Sequence, residues 1–175
     1  LDTADRVAPC ILWIDEIEKA LATGAGDTGT SRRLLGQFLF WLQESTSKVF
    51  MVATANEIYS LPPELTRKGR FDEVFFVDLP NASDREEIIR LYFRRYLGYD
   101  SPPDLTAELV SMTDGFSGSE IDAVIHDLGL DSQAGGGGTP GYEQIRAHFA
   151  NVLPFSRSNP EDIAELRAWG QTRCI

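Results

Sequence analysis

Lysine is scarce in this chain of 175 residues: Lys19, Lys48 and Lys68 are its only copies, and Ala20, Val49 and Gly69 follow them. That excludes a phosphate cradle of the Gly-x-x-x-x-Gly-Lys-Ser/Thr kind, which needs a hydroxyl residue directly after its lysine. Gly24, Gly26 and Gly29 make a glycine-rich stretch with no lysine to complete such a cradle, so it reads as a loop. Cysteine is as rare. Cys10 and Cys174 cannot build a disulfide framework, and Cys10 lies in an apolar run where a buried thiol behaves as a small hydrophobe. No apolar run approaches the roughly 18 to 20 residues of a membrane span, and the N-terminus lacks a secretory pattern, so no membrane is expected and the cytoplasm is the expected setting. The formal charge of −11 excludes broad binding to nucleic acid backbones, which relies on clustered Lys and Arg. The two histidines, His126 and His148, have no ligand-like spacing, and no Ser, His, Asp grouping suggests acyl transfer.

What is present is an α/β pattern. Apolar residues make up 42% of the chain, enough for one domain with a sizeable core or one domain with a small appendage. Short runs rich in Ile, Val and Phe at about 10 to 14, 49 to 55 and 73 to 79 predict strands buried on both faces. Between the first two, Leu34, Phe38 and Leu42 with Leu35 and Leu39 predict a crossover helix over 31 to 44. Strand, helix, strand in this order predicts part of a parallel, doubly wound sheet.

After Pro80 the pattern turns helical, so the expected organisation is an α/β subdomain over 1–80 and an all-helical lid over 81–175. Ser83 with Glu86, and Ser117 with Glu120, have the spacing of capping boxes. Ile88, Ile89, Leu91, Tyr92 and Tyr96 would give the first lid helix its apolar face; Leu105, Leu109 and Met112 suggest a shorter one. Residues 131 to 141 carry four consecutive glycines and predict a flexible linker. Beyond it, Ile145, Phe149 and Val152 predict one helix, and Asn159, Pro160, Ile163, Leu166 and Trp169 another.

The chemistry concentrates at strand ends. Residues 10 to 16, Cys-Ile-Leu-Trp-Ile-Asp-Glu, would deliver two carboxylates at the tip of a buried strand. Asp15 there suits the shell of Mg²⁺, reached through water, and Glu16 suits the orientation and deprotonation of an attacking water. The same two acids also suit the N-terminus of a following helix, whose dipole favours negative charge. Asn56 ends the second strand, where its amide is able to hold a water or simply cap a turn.

The strand ending in Asp15-Glu16, the strand ending in Asn56 and the run Leu-Pro-Pro-Glu-Leu-Thr-Arg-Lys-Gly-Arg-Phe-Asp at 61 to 72 come in the order of the AAA family of ATPases. Gly115-Phe116-Ser117-Gly118-Ser119-Glu120-Ile121 resembles the family's sensor 2 segment. Within the family, the Cys-Ile-Leu-Trp-Ile-Asp-Glu-Ile-Glu-Lys run, the Lys-Gly-Arg-Phe-Asp-Glu loop, and Leu153-Pro154 ahead of a helix with Trp169 resemble a group from cyanobacteria, chloroplast genomes and other bacteria.

The resemblance implies a P-loop NTPase sheet from its Walker B strand onward, with ATP and Mg²⁺ as cofactors. Glu16 would be the catalytic acid, Asn56 sensor 1, and Arg67 and Arg70 fingers reaching a neighbouring subunit's nucleotide in a homo-oligomer, usually a six-membered ring. The plainer alternative pairs both arginines with Asp72 and Glu73 on the surface. Gly118 and Ser119 would bring lid backbone close to the nucleotide, or merely open a helix, and Tyr92 would lie beside the base or pack in the core. The loop from Thr23 to Arg33 falls where the family has a second pore loop. The Walker A strand, expected between the strand of Asn56 and that of 73 to 79, is missing from these residues, so the chain reads as the later part of a longer ATPase and is expected to be inactive alone. The alternative is a noncatalytic AAA-like interaction or regulatory module. An unrelated phosphoacceptor-type domain is disfavoured, because it has no use for the loop of Arg67 and Arg70. The protein substrate has no signature here.

Overall fold

The computed structural model describes residues 1–21, 29–67 and 69–175. They form two compact units, Leu1–Phe75 with Cys174–Ile175, and Phe76–Arg173. The α/β class expected from the sequence holds, as a short parallel sheet followed by a mostly helical region. Among the described residues no helix is long and apolar enough to cross a membrane.

The first unit runs through helix α1 (Asp2–Val7), strand β1 (Cys10–Ile14), helix α2 (Ile17–Leu21), helix α3 (Thr30–Glu44), strand β2 (Val49–Ala53) and a 3₁₀ turn at Ile58–Ser60. β1 and β2 pair in parallel, with Cys10 opposite Val49 and Ile14 opposite Ala53. Parallel neighbours need a long crossover, and α3 lies on it. Ile17, Leu21, Phe38 and Leu65 are buried, with Leu35, Leu39, Leu42 and Met51 packed around them. Leu34, expected on the apolar face of α3, is 50% exposed instead. The buried stripe centres on Leu35, Phe38, Leu39 and Leu42, and at about 100° per residue Leu34 falls to its side. Asp5 of α1 accepts the Trp41 indole N–H at 2.9 Å, a bond that is the main reason its carboxyl is held below the ordinary value.

Two strand expectations are corrected. The strands are not buried on both faces: Ile11, Trp13 and Phe50 alternate outward and are exposed, and Cys10 is a free, half-buried thiol. One face packs on the core of α2 and α3, while the other is uncovered among the described residues. Nor do residues 73 to 79 form a strand. A strand exists only through a partner ladder, and among the described residues the sheet ends at β1 and β2, so Phe75 and Val77 stand 70% and 89% exposed. The Val74 carbonyl accepts the Ile175 N–H at 3.0 Å instead.

The second unit contains α4 (Ala82–Tyr92), which widens into a π-helical turn at Phe93–Leu97, then α5 (Pro103–Met112), α6 (Gly118–Ala134), α7 (Tyr142–Ala150), α8 (Phe155–Ser158) and α9 (Pro160–Arg173). The capping box of α4 is built by Asn81 and Asp84, not by Ser83 and Glu86. Asn81 comes first after Pro80 and already satisfies the N–H groups of Ser83 and Asp84, so Ser83 lies inside the helix, and Glu86 pairs with Arg90 at 2.6 Å. Ser117 and Glu120 cap α6 as expected. Ile89, Phe93, Leu105, Leu109, Phe116, Ile121, Val124, Ile125, Leu128, Ile145 and Phe149 form one core. Arg85 is 7% exposed; its guanidinium donates to the Pro80 carbonyl at 2.9 Å and the Val110 carbonyl at 3.2 Å, joining the chain entry to the end of α5.

Residues 131 to 134 form the last turn of α6, and the glycines wrap its end: Gly135 N–H donates to the Asp131 carbonyl and Gly137 N–H to the Ser132 carbonyl, both at 2.9 Å. Such returns satisfy carbonyls a helix end leaves open. α9 is fastened to the start of the unit. Arg167 Nε lies 2.9 Å from both Asp78 oxygens, and a Cβ on buried Gly170 would fall 2.5 Å from the Phe76 ring. Gly170→Val is therefore expected to lower stability in urea denaturation by about 1 to 3 kcal/mol, the usual cost of overpacking. Adding Phe76→Ala, which opens room, should give a smaller combined loss than the sum of the two single losses.

Candidate functional site

Because β1 and β2 are parallel and in register, their C-terminal ends leave the sheet side by side, which brings residues 15 and 16 to residues 54 to 56. The ladder continues past the strands: Thr54 N–H donates to the Ile14 carbonyl at 3.0 Å and Ile17 N–H to the Thr54 carbonyl at 2.9 Å. Between them the chain turns from strand to helix at Glu16, a non-glycine residue with φ of 51°. Its N–H is taken by the Thr54 hydroxyl oxygen at 3.1 Å, while that hydroxyl donates to Asp15 Oδ1. Thr54 thus fixes both acids.

Asn56 Nδ2 donates to Glu16 Oε1 at 3.0 Å, and Lys19 Nζ donates to both Glu16 oxygens at 2.7 Å. The bond to Glu16 is the main reason the Lys19 ammonium is held above its ordinary value. Glu18, only 3% exposed, accepts the Asn56 N–H at 3.1 Å, and its buried second oxygen has no hydrogen-bond partner among the described residues. Asp15 and Asn56 are exposed at the sheet edge.

Three of the expected site residues, Asp15, Glu16 and Asn56, therefore share one hydrogen-bonded cluster. Its donor set suits a hard cation. Among the described residues no group of three His, Cys, Asp or Glu side chains could enclose a metal, whereas one carboxylate edge completed by waters and phosphate oxygens is the arrangement Mg²⁺ prefers.

Arg67 is exposed on the following loop, and Arg70 is half-buried with its Nε lacking a partner among the described residues. Neither pairs with Asp72 or Glu73 among the described residues. Lys68, between them, and most of the stretch from Thr23 to Arg33 lie outside the described residues.

In the second unit Gly118 and Ser119 form the first turn of α6, behind the N-cap Ser117. A Cβ on Gly118 would meet Ile88 Cδ1 at an ordinary 3.6 Å, so the surroundings within the unit do not themselves demand glycine. Tyr92 packs against the core of this unit and stacks on Tyr96, with ring centroids 5.8 Å apart. Glu120 bridges two elements: one oxygen accepts the Ser117 N–H at 2.7 Å, the other the Phe155 N–H at 2.7 Å. Partial burial raises its carboxyl, but these N–H donors and the Ser117 hydroxyl outweigh that and hold it below the ordinary 4.5.

Residues 1–79 match the family model described as ATPase family associated with various cellular activities (AAA). The chain is 39% identical over 176 residues to the AAA domain-containing protein ycf46 of Pyropia yezoensis, an alignment covering 97% of this chain and 35% of that protein. The chain belongs to the AAA family of ATPases. The ycf46 protein of Guillardia theta is 40% identical over 169 residues, covering 95% of this AAA chain and 33% of its own length. The proteasome-activating nucleotidase of Sulfurisphaera tokodaii is 37% identical over 140 residues, 73% of this chain and 34% of its own. The chain thus spans about a third of the length of these curated relatives. Among solved structures, the AAA domain of FIGL-1 in complex with ADP superposes with a TM-score of 0.78 at 18% identity, over 99% of this chain and 61% of that one. That likeness is one of fold.

Sequence reasoning did not single out three members of the AAA chain's cluster: Thr54, Lys19 and Glu18. Lys19 was findable, since three residues after Glu16 on a helical turn is pairing distance. Thr54 and Glu18 act through a neighbouring strand and carry no local signal.

The Glu120 geometry sets a pH dependence. Its carboxyl holds its proton less readily in the folded chain than in the unfolded one, so its stabilisation is complete above 4.5 and is lost as pH falls through the lower folded value. The thermal midpoint is expected to fall on acidification more steeply in the wild-type chain than in Glu120→Gln; identical slopes would contradict this.

Proposed function

We propose that this AAA chain supplies the magnesium-side, water-activating and intersubunit elements of an ATPase that hydrolyses ATP between subunits and so remodels a macromolecular partner in the cytoplasm. The observation that carries the reading is the single cluster of Asp15, Glu16, Thr54 and Asn56 at the ends of two parallel strands. Asp15, oriented by the Thr54 hydroxyl, would hold Mg²⁺ through water. When bound, the ion supplies charge neutralisation along the phosphates.

Glu16 accepts the proton of the attacking water, and the Asn56 amide holds that water against the terminal phosphate. Lys19 and Asn56 engage Glu16 from two sides, so the carboxylate must give up part of this pairing to meet a water. Arg67 and Arg70, without carboxylate partners among the described residues, are available to a neighbouring subunit, where a guanidinium fork stabilises charge spread over the transferred phosphoryl group. From the second unit, Gly118 and Ser119 are assigned to contact with the nucleotide and Tyr92 to contact with the base. A homo-oligomeric ring, six-membered as is usual for the family, follows from arginines acting in trans; the partner it remodels is a protein of unknown identity.

In the full-length protein, Glu16→Gln is expected to retain bound ATP while turnover falls about 10²- to 10⁴-fold, the range for loss of a general base. Unchanged turnover would remove Glu16 from its role. Arg70→Ala subunits are expected to be inactive alone and to regain partial turnover when mixed with Glu16→Gln subunits, because mixing creates interfaces with an intact Glu16 facing an intact Arg70. No recovery would place the arginine in its own subunit's site. Residues 1–175 by themselves, having no lysine-containing phosphate cradle, should show no ATP turnover in a purified preparation.

A further inference from the structure

The geometry points to Ser156 as a positioning residue: helix α8 fixes the backbone of the turn Asp114–Ser119 and thereby sets the protein's affinity for nucleotide. This rests on the reading above that Gly118 and Ser119 face the nucleotide.

Three consecutive residues of α8 reach the turn and its helix from 35 to 43 positions away in sequence. Ser156 Oγ donates to the Gly115 carbonyl at 2.6 Å, Arg157 Nη2 to the Asp114 carbonyl at 3.2 Å, and Phe155 N–H to Glu120 Oε1 at 2.7 Å. Two of the acceptors are main-chain carbonyls at the head of the turn. The third is the carboxylate that also accepts the Ser117 N–H, and so builds the cap from which Gly118 and Ser119 project. The turn is held at both ends by one short element.

Gly115 shows how close this approach is. It has φ of +81°, and a Cβ there would fall 2.6 Å from Ser156 Oγ. Gly115 lies inside the turn that the Phe116 N–H closes on the Thr113 carbonyl at 3.0 Å, and glycine keeps more backbone freedom there than any other residue would. The Ser156 bond removes that freedom before any ligand arrives, and a site ordered in advance binds with less entropic loss. The strap has its own anchor: Pro154 at its start is buried, and α9, which follows, is tied to Asp78 by Arg167. The C-terminal helices therefore act on the nucleotide through backbone, with no side chain of theirs needed at the ligand.

The test uses the full-length protein, with N-methylanthraniloyl-ADP titrated for Kd and ATP turnover analysed for KM and kcat. Ser156→Ala is expected to raise Kd and KM together by about fivefold, the effect of one hydrogen bond, with kcat unchanged. Ser156→Thr keeps the hydroxyl and should hold wild-type affinity; weakening as large as in Ser156→Ala would overturn the proposal. So would a fall in kcat with Kd unmoved, the mark of a purely structural role. Gly118→Val separates the two layers of the argument. If it weakens nucleotide binding while Ser156→Ala does not, the strap proposal fails alone. If neither variant changes Kd, the placement of Gly118 and Ser119 at the nucleotide fails and the proposal falls with it.

Discussion

The register of one parallel ladder, Cys10–Ile14 against Val49–Ala53, determines where every polar group of the strand-tip site stands. Antiparallel pairing would send the ends of the two strands to opposite edges, and Asp15 would never meet Thr54. A slip of one residue would turn alternate side chains to the other face, placing Thr54 where it could not take the Glu16 N–H. Two bonds beyond the strands, Thr54 N–H to Ile14 and Ile17 N–H to Thr54, carry the register into the turn. The carboxylates are thus located by main chain, and the side chains of Thr54, Asn56 and Lys19 only refine their direction. The buried face of α3 contributes indirectly, since Phe38 and its neighbours hold the crossover that makes parallel pairing possible.

The helical unit uses the same economy with different parts. Its apolar core fixes the helices, but the turn between α5 and α6 is held by polar groups serving two purposes each. Glu120 caps its own helix and receives α8; Arg85 satisfies the Pro80 carbonyl and the last turn of α5. Buried Thr113 returns its hydroxyl to the Leu109 carbonyl at 2.8 Å, closing the end of α5 just before that turn. A turn fixed by such bonds can carry glycines without losing its shape.

Much of this was legible in the residues. The apolar runs of β1 and β2, the period of α3, the Ser117–Glu120 box and the acids at the strand tip depend on neighbours within a few positions, and all were read correctly in kind. What escaped depends on distant chain. Residues 73 to 79 have the composition of a strand, but a strand is a property of two segments, and no described neighbour pairs with this one. Asn81–Asp84 and Ser83–Glu86 fit the same capping pattern, and the choice fell to the residue that met the orphan N–H groups first. Thr54 looked like any strand residue; its role exists only because Asp15 and Glu16 lie across a ladder. The α8 strap, joining residues some forty positions apart, left no pattern at all.

Glu16 sits in the left-handed region, where glycine or asparagine would rest more comfortably and where a side chain of its kind costs on the order of 1 to 3 kcal/mol. A selection for thermal robustness alone would tend to erase this glutamate and replace it with glycine. Directed evolution of the protein toward heat resistance therefore runs against the chemistry proposed for this position, and a stabilised lineage that keeps Glu16 will have found its gains elsewhere.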